Sequence, residues 1–173
     1  REFALSVLRK IEREIKDRAD RFSRAGEDHL SGYCKTTGDR IPRILLIVDE
    51  CQELFHDDNI GRESDIIVER IVRLGRAFGV HMILSSQTLR GSMMMSNVTK
   101  DLIPVRIALQ CSDTDARSVM SDENNEATLL EYPGQAIYNT KNGFLEGNKR
   151  FQVFWLDKEK RRELLNCIGQ FAN

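Results

Sequence analysis

Two adjacent carboxylates near the middle of the chain could carry phosphoryl-transfer chemistry. Asp49 and Glu50 directly follow residues 44–48, Ile-Leu-Leu-Ile-Val, which have the all-apolar character of a strand buried in a parallel sheet. In an open α/β sheet, ligands bind at the carboxyl ends of the strands. One carboxylate at that position can face a Mg²⁺–phosphate group, and its neighbour can orient and deprotonate a water. Taken alone, the pattern also fits a strand followed by an acidic turn.

A second predicted strand ends in polar, uncharged side chains. Residues 80–85 are followed by Ser86, Gln87 and Thr88. An amide at the tip of a neighbouring strand can donate a hydrogen bond to the attacking water or to the γ-phosphate, so Gln87 is a further candidate site residue. An ordinary strand with a polar end explains this stretch equally well when it is considered alone.

The remaining chain alternates between predicted strands and helices. Strands are predicted at 44–48, 80–85, 105–110, 135–138 and 150–155, and helices at 3–24, 64–79, 113–120 and 158–171. The glycine-containing residues 30–42 are predicted to form a loop, and Phe154 and Trp155 to lie in the core. This order predicts an α/β fold with a mainly parallel sheet flanked by helices, in a single domain spanning residues 1–173.

Composition sets limits on the kind of protein. With 173 residues, 40% hydrophobic and 31% charged, the chain is globular rather than disordered. A net charge of −1 exerts no overall attraction on nucleic acid, so any DNA contact must come from a local patch or a tethered domain. No apolar run reaches the length of a membrane span, and the many charges in residues 1–24 are not the pattern expected of a signal peptide. The four cysteines form no C-x-x-C pair, which favours reduced thiols and a cytoplasmic location.

Several ordered segments resemble the FtsK/SpoIIIE family of ATP-driven DNA translocases. These segments are DECQELF at 49–55, RLGRAFGVHMILSSQT at 73–88 and IPVRIALQCSDTDARSV at 103–119. They match the family's Walker B strand ending in Asp-Glu, its Gly-Val-His strand ending near a Gln, and its Arg-Ile-Ala strand leading into Ser-x-x-Asp-x-Arg. The resemblance covers residues 5–138 in the same order and with similar spacing.

The resemblance implies a P-loop NTPase core of the RecA-like type, with ATP and Mg²⁺ as cofactors. By this resemblance, Asp49 holds the Mg²⁺ shell through water, Glu50 is the catalytic base and Gln87 is the polar sensor, and all three lie at the nucleotide.

The resemblance also implies an arginine that acts on the ATP of a neighbouring subunit in a hexameric ring. Arg117, in the Ser-x-x-Asp-x-Arg segment, matches the recurrent arginine of the family. Arg73 and Arg76 on the preceding predicted helix remain rivals, and a surface salt bridge is an alternative explanation for each of the three.

One family motif is absent from this sequence. The Walker A loop, G-x-x-x-x-G-K-[ST], supplies the backbone amides and the lysine that cradle the phosphates, and no Gly-Lys dipeptide occurs here. The chain begins with Arg1 rather than Met, inside a predicted helix. We therefore expect an ATPase core truncated at its N-terminus, inactive alone, with the phosphate loop upstream in the intact protein.

The resemblance implies a motor that moves double-stranded DNA through a ring, as in chromosome segregation, and it leaves open a membrane tether upstream. Two alternatives remain. Type VII secretion ATPases of the EssC type share these segments and move proteins. The other is a degenerate copy of the motor domain that does not hydrolyse ATP and serves as an assembly module. Degenerate copies often lose the acidic pair, which this chain retains at Asp49 and Glu50.

Overall fold

The structure, a computed structural model, describes residues 1–56, 58–88 and 95–170. The chain divides into two compact units, Arg1–Pro104 and Val105–Asn173. Each unit has its own cluster of buried apolar side chains. The prediction of a single domain over residues 1–173 stays a prediction.

The described residues of the first unit form a two-stranded parallel sheet and four α-helices. Its elements are α1 (Glu2–Arg24), α2 (Leu30–Thr37), β1 (Ile44–Val48), α3 (Asn59–Phe78), β2 (Val80–Leu84) and α4 (Asn97–Asp101). A one-turn 3-10 helix, Cys51–Leu54, follows β1. The two strands pair in register from Ile44 opposite Val80 to Val48 opposite Leu84. The parallel pairing predicted for these strands is therefore confirmed.

The core of the first unit lies between α1, α3 and one face of the sheet. Both helices are amphipathic, and α3 contributes Ile67, Val68 and Ile71 to the buried cluster. Helix α3 ends at Phe78. The next residue, Gly79, is its C-cap and has the left-handed conformation, with a φ of 73°. Strand β2 begins at the next residue, Val80, and the Gly79 carbonyl accepts a hydrogen bond from Ile44 N at the start of β1 at 2.9 Å.

The second unit is built on a three-stranded antiparallel sheet. Its elements are β3 (Arg106–Leu109), α5 (Asp113–Val119), β4 (Gln135–Asn139), β5 (Asn148–Gln152) and α6 (Lys158–Gln170), with the sheet order β3-β4-β5. Strands β4 and β5 are consecutive and pair antiparallel, from Gln135 opposite Gln152 to Asn139 opposite Asn148. These three strands pair antiparallel, whereas among the residues that the structure describes only β1 and β2 pair parallel.

Two local predictions are wrong. Residues 30–37 form helix α2 instead of a loop, because Tyr33 stacks on Phe22 at 4.6 Å between ring centroids and Gly38 caps the helix in the left-handed conformation. Phe154 and Trp155 are 83% and 86% exposed instead of buried, because β5 ends at Gln152. Among the described residues, no helix is both long and apolar enough to cross a bilayer.

Candidate functional site

The parallel register brings the carboxyl ends of β1 and β2 side by side. The backbone pairing continues past both strands, with Ser85 N donating to Val48 O and Cys51 N donating to Ser85 O, each at 2.9 Å. The residues that follow Val48 therefore lie against those that follow Leu84. This is the strand-end position at which α/β sheets bind ligands.

Asp49 lies at the tip of β1 with its carboxylate exposed to solvent. Its Oδ1 accepts hydrogen bonds from Ser85 Oγ at 2.5 Å and from the backbone N of Glu50 at 3.1 Å. These bonds hold the carboxylate at the sheet edge. Mg²⁺ in nucleotide sites is commonly bound through one or two carboxylates, waters and phosphate oxygens, so an exposed, oriented Asp49 fits such a role.

Glu50 is half-buried and its backbone has a φ of 52°, in the left-handed region that a non-glycine residue rarely adopts. This conformation reverses the chain between β1 and the 3-10 helix Cys51–Leu54. Gln87 Nε2 donates to Oε1 of the Glu50 carboxylate. The structure therefore brings Glu50 and Gln87 together, as expected for neighbouring strand ends, while their catalytic roles stay predictions.

Two further side chains complete this cluster: Ser86, from the polar end of the second strand, and Gln52, which the sequence pattern did not indicate. Gln52 Nε2 donates to Glu50 Oε2 at 2.5 Å, and Ser86 Oγ lies 2.6 Å from Gln52 Oε1. Gln52 turns back toward Glu50 only because Glu50 adopts the left-handed conformation. A positive φ at a glutamate cannot be read from residue type or spacing.

The thiol of Cys51, beside the acidic pair, is buried and not nucleophilic. Cys51 is 3% exposed, and burial, together with the nearby Glu50 and Asp49 carboxylates, raises its pKa to about 11. A thiol is nucleophilic only as the thiolate, so Cys51 acts here as a small core residue.

The arginines proposed to act in trans are all on helix surfaces. Arg117 lies in the second unit on α5, where its Nε donates to Asp113 Oδ2 at 2.9 Å and its Nη1 to the carbonyl of Asp122. Arg73, on α3, pairs with Glu69 at 2.5 Å. Surface ion pairs therefore account for Arg117 and Arg73 in this structure, and a role in trans stays a prediction for Arg117 and its rivals.

Comparison with curated proteins points to one group of relatives. The chain is 28% identical over 177 residues to the DNA translocase FtsK of Staphylococcus aureus, and 30% identical over the same length to that of Staphylococcus epidermidis. Each match covers 95% of the chain and 21% of the relative. The chain is a homologue of FtsK-type translocases. The chain spans about a fifth of the length of those relatives.

A secretion protein is also among the relatives. The chain is 30% identical over 164 residues to the ESX secretion system protein EccC of Geobacillus thermodenitrificans, covering 88% of the chain and 10% of that protein. No family model matches the sequence.

Solved structures confirm the predicted P-loop ATPase fold. The chain superimposes on the pCW3 conjugation coupling protein TcpA, solved with ATPγS, with a TM-score of 0.76 at 21% identity over 96% of the chain and 49% of TcpA. The cytoplasmic domain of the type VII secretion ATPase EccC of Thermomonospora curvata gives a TM-score of 0.68 at 22% identity, over 91% of the chain and 19% of that protein.

Proposed function

We propose that these residues form the hydrolytic part of an ATP-driven motor that moves double-stranded DNA. The observation that carries the proposal is the contact between the Glu50 carboxylate and the Gln87 amide at adjacent strand ends, with Asp49 oriented beside them. Similarity to DNA translocases named FtsK over 95% of the chain supports the choice of cargo.

The acidic pair has the two functions that phosphoryl transfer needs. Asp49 would hold a hydrated Mg²⁺, and the bound ion would neutralise charge on the phosphates. Glu50 accepts the proton of a water as the water oxygen bonds to the γ-phosphorus and the bond to the bridging oxygen breaks. Gln87, whose amide already contacts Glu50, orients that water or donates to the γ-phosphate.

ATP binding requires more than this chain supplies. The sequence contains no Gly-Lys dipeptide and hence no Walker A loop. The phosphate-binding loop belongs, in this proposal, to a preceding segment of the full-length protein. The chain by itself then binds ATP weakly and does not turn it over. In this proposal the full-length protein works as a hexameric ring in the cytoplasm, and a membrane tether outside these residues stays an open alternative.

The proposal is tested by the ATPase rate of the full-length protein with and without duplex DNA. Stimulation by duplex DNA is expected, since a translocase couples turnover to movement along its cargo. An ATPase rate that duplex DNA does not change would rule out DNA as the cargo. No ATP hydrolysis under either condition would rule out the proposed motor function.

A protein-exporting motor is the second candidate, favoured by the 30% identity to EccC of Geobacillus thermodenitrificans. The same site would hydrolyse ATP, but the motor would move a protein. In that case duplex DNA leaves the ATPase rate unchanged, and a secreted protein substrate raises it.

A further inference from the structure

The Glu50 carboxylate is held at both of its oxygens. Oε2 accepts from Gln52 Nε2 at 2.5 Å, and Oε1 accepts from Gln87 Nε2. The two amides come from different segments, one from the turn after β1 and the other from the end of β2. Rotation of the carboxylate about its last bond would break both hydrogen bonds.

The amide of Gln52 is itself oriented by its surroundings. An ionised carboxylate only accepts hydrogen bonds, so the NH₂ end of the amide must face Glu50. The amide oxygen then accepts from the Ser86 hydroxyl, with Oγ 2.6 Å away. The carbonyl of Thr88 lies 2.5 Å from the same Oγ, so the two oxygens share the one hydroxyl proton of Ser86. A flipped amide would set its oxygen against a carboxylate oxygen, which is repulsive.

The backbone beneath Gln52 is also fixed. Its neighbours in the 3-10 helix, Cys51 and Leu54, are 3% and 4% exposed and belong to the core of the first unit. Gln52 is half-buried, whereas Gln87 is exposed at the end of its strand. Gln52 is therefore the more firmly placed of the two donors to Glu50.

We propose that Gln52 is a positioning residue that orients the Glu50 carboxylate toward the attacking water. Each carboxylate oxygen has two lone pairs, so an oxygen that accepts one amide hydrogen bond keeps a second site for the proton of the water. When Gln87 turns to the nucleotide, Gln52 still holds Glu50 in place. This inference rests on the proposed ATPase function and adds a residue that the sequence did not indicate.

The kinetic test compares variants of the full-length protein. Gln52→Ala is expected to lower kcat by about 10- to 100-fold with the KM for ATP changed by less than about twofold, because a misaligned base slows the chemical step without weakening binding. Gln52→Glu should be at least as slow, since it replaces the donor with a like charge. Glu53→Gln, on the same turn and exposed, is the matched control and should retain the wild-type kcat.

The outcomes separate this inference from the function on which it rests. If the Gln52→Ala variant hydrolyses ATP at the wild-type rate, the proposed role of Gln52 is overturned and the proposed function is left intact. A fall in kcat with an equal fall in the amount of folded protein would overturn it as well. No turnover by the wild type would overturn the proposed function together with this role.

A spectroscopic test on the 173-residue chain does not depend on turnover. In an NMR spectrum of the side-chain amides, Glu50→Ala should shift the Nε2 signals of both Gln52 and Gln87, because both lose the same acceptor. Glu53→Ala should leave both signals in place. A Gln52 signal that is insensitive to Glu50→Ala would show that the amide does not hold the carboxylate, and would overturn the proposal.

Discussion

At the scale of single residues, the site depends on one unusual backbone conformation. Glu50, with a φ of 52°, turns the chain so that Gln52 comes back to the Glu50 carboxylate. A left-handed conformation costs a non-glycine residue about 1–2 kcal/mol, and such residues cluster where a functional group must be placed. The two amide hydrogen bonds to Glu50 and the burial of Cys51 offset this cost.

The four thiols should differ in reactivity. Cys51 is buried with a pKa raised to about 11, whereas Cys167 is exposed on α6. In a thiol-labelling experiment at pH 8, Cys167 should react at once, and Cys51 should react only as fast as the protein unfolds. A Cys167→Ser variant identifies the fast phase. Rapid labelling of Cys51 in folded protein would contradict the buried placement of the turn after β1.

At the scale of elements, α3 connects the two strands of the site and is anchored at its start. The Asp58 side chain caps the helix by accepting from Gly61 N at 2.7 Å, and Arg1 Nη1 donates to the same carboxylate at 2.6 Å. The Arg1 guanidinium, followed by the Gly61 amide, holds the pKa of Asp58 well below its ordinary value of 3.8. The charged form of Asp58 therefore stabilises the folded state.

This linkage predicts the pH dependence of an Asp58→Asn variant. A depressed folded-state pKa gives stability that is fully present above 3.8 and is lost as the pH falls below that value toward the folded-state pKa. Asparagine keeps the cap but not the charge. Urea denaturation should show the variant less stable than wild type at pH 6, with a smaller difference at about pH 3. An equal difference at both pH values would contradict the assignment.

The elements differ in how far the sequence predicts them. The strand-end position of Asp49 and Glu50 followed from the apolar run at 44–48, because such a run is typical of a strand in a parallel sheet. The burial expected on both faces was wrong, since Leu45 and Ile47 are exposed. Helix α2 could not be predicted from the sequence pattern, because only Leu30 and Tyr33 of this helix are buried. Its stability comes from the packing of Tyr33 on Phe22. Tertiary contacts of this kind override local propensity.

The site was predictable to the extent that it follows from the sheet. Glu50 and Gln87 meet because parallel register aligns the ends of β1 and β2. Gln52 was not predictable, because its contact requires the positive φ of Glu50. The start of α3 at Asn59 was also earlier than predicted, since the cap at Asp58 lies outside the apolar repeat.

At the scale of the whole molecule, the two-stranded sheet of the first unit leaves one face uncovered. Leu45, Ile47 and Ile83 project from this face and are 56%, 63% and 50% exposed. A contiguous exposed apolar patch favours association in water. The 173-residue chain alone should therefore bind a hydrophobic dye and associate as its concentration rises.

Charge placed on that face should suppress the association. Ile47→Lys is expected to lower dye fluorescence and the associated fraction in light scattering, while the free energy of unfolding changes by less than about 0.5 kcal/mol, because the side chain is exposed. Val98→Lys, at a residue 56% exposed on α4, is the matched control and should have no such effect. Equal effects of both substitutions would show that the sheet face is not responsible.

The measurement that bears most directly on the motor as a whole is the turnover of a Glu50→Gln variant of the full-length protein. The isosteric amide cannot accept the proton of the water, so ATP hydrolysis should fall by at least about 100-fold while ATP still binds with wild-type affinity. Glu53→Gln should hydrolyse ATP at the wild-type rate. Continued hydrolysis by Glu50→Gln would contradict the assignment of Glu50 as the base and, with it, the site at the ends of β1 and β2.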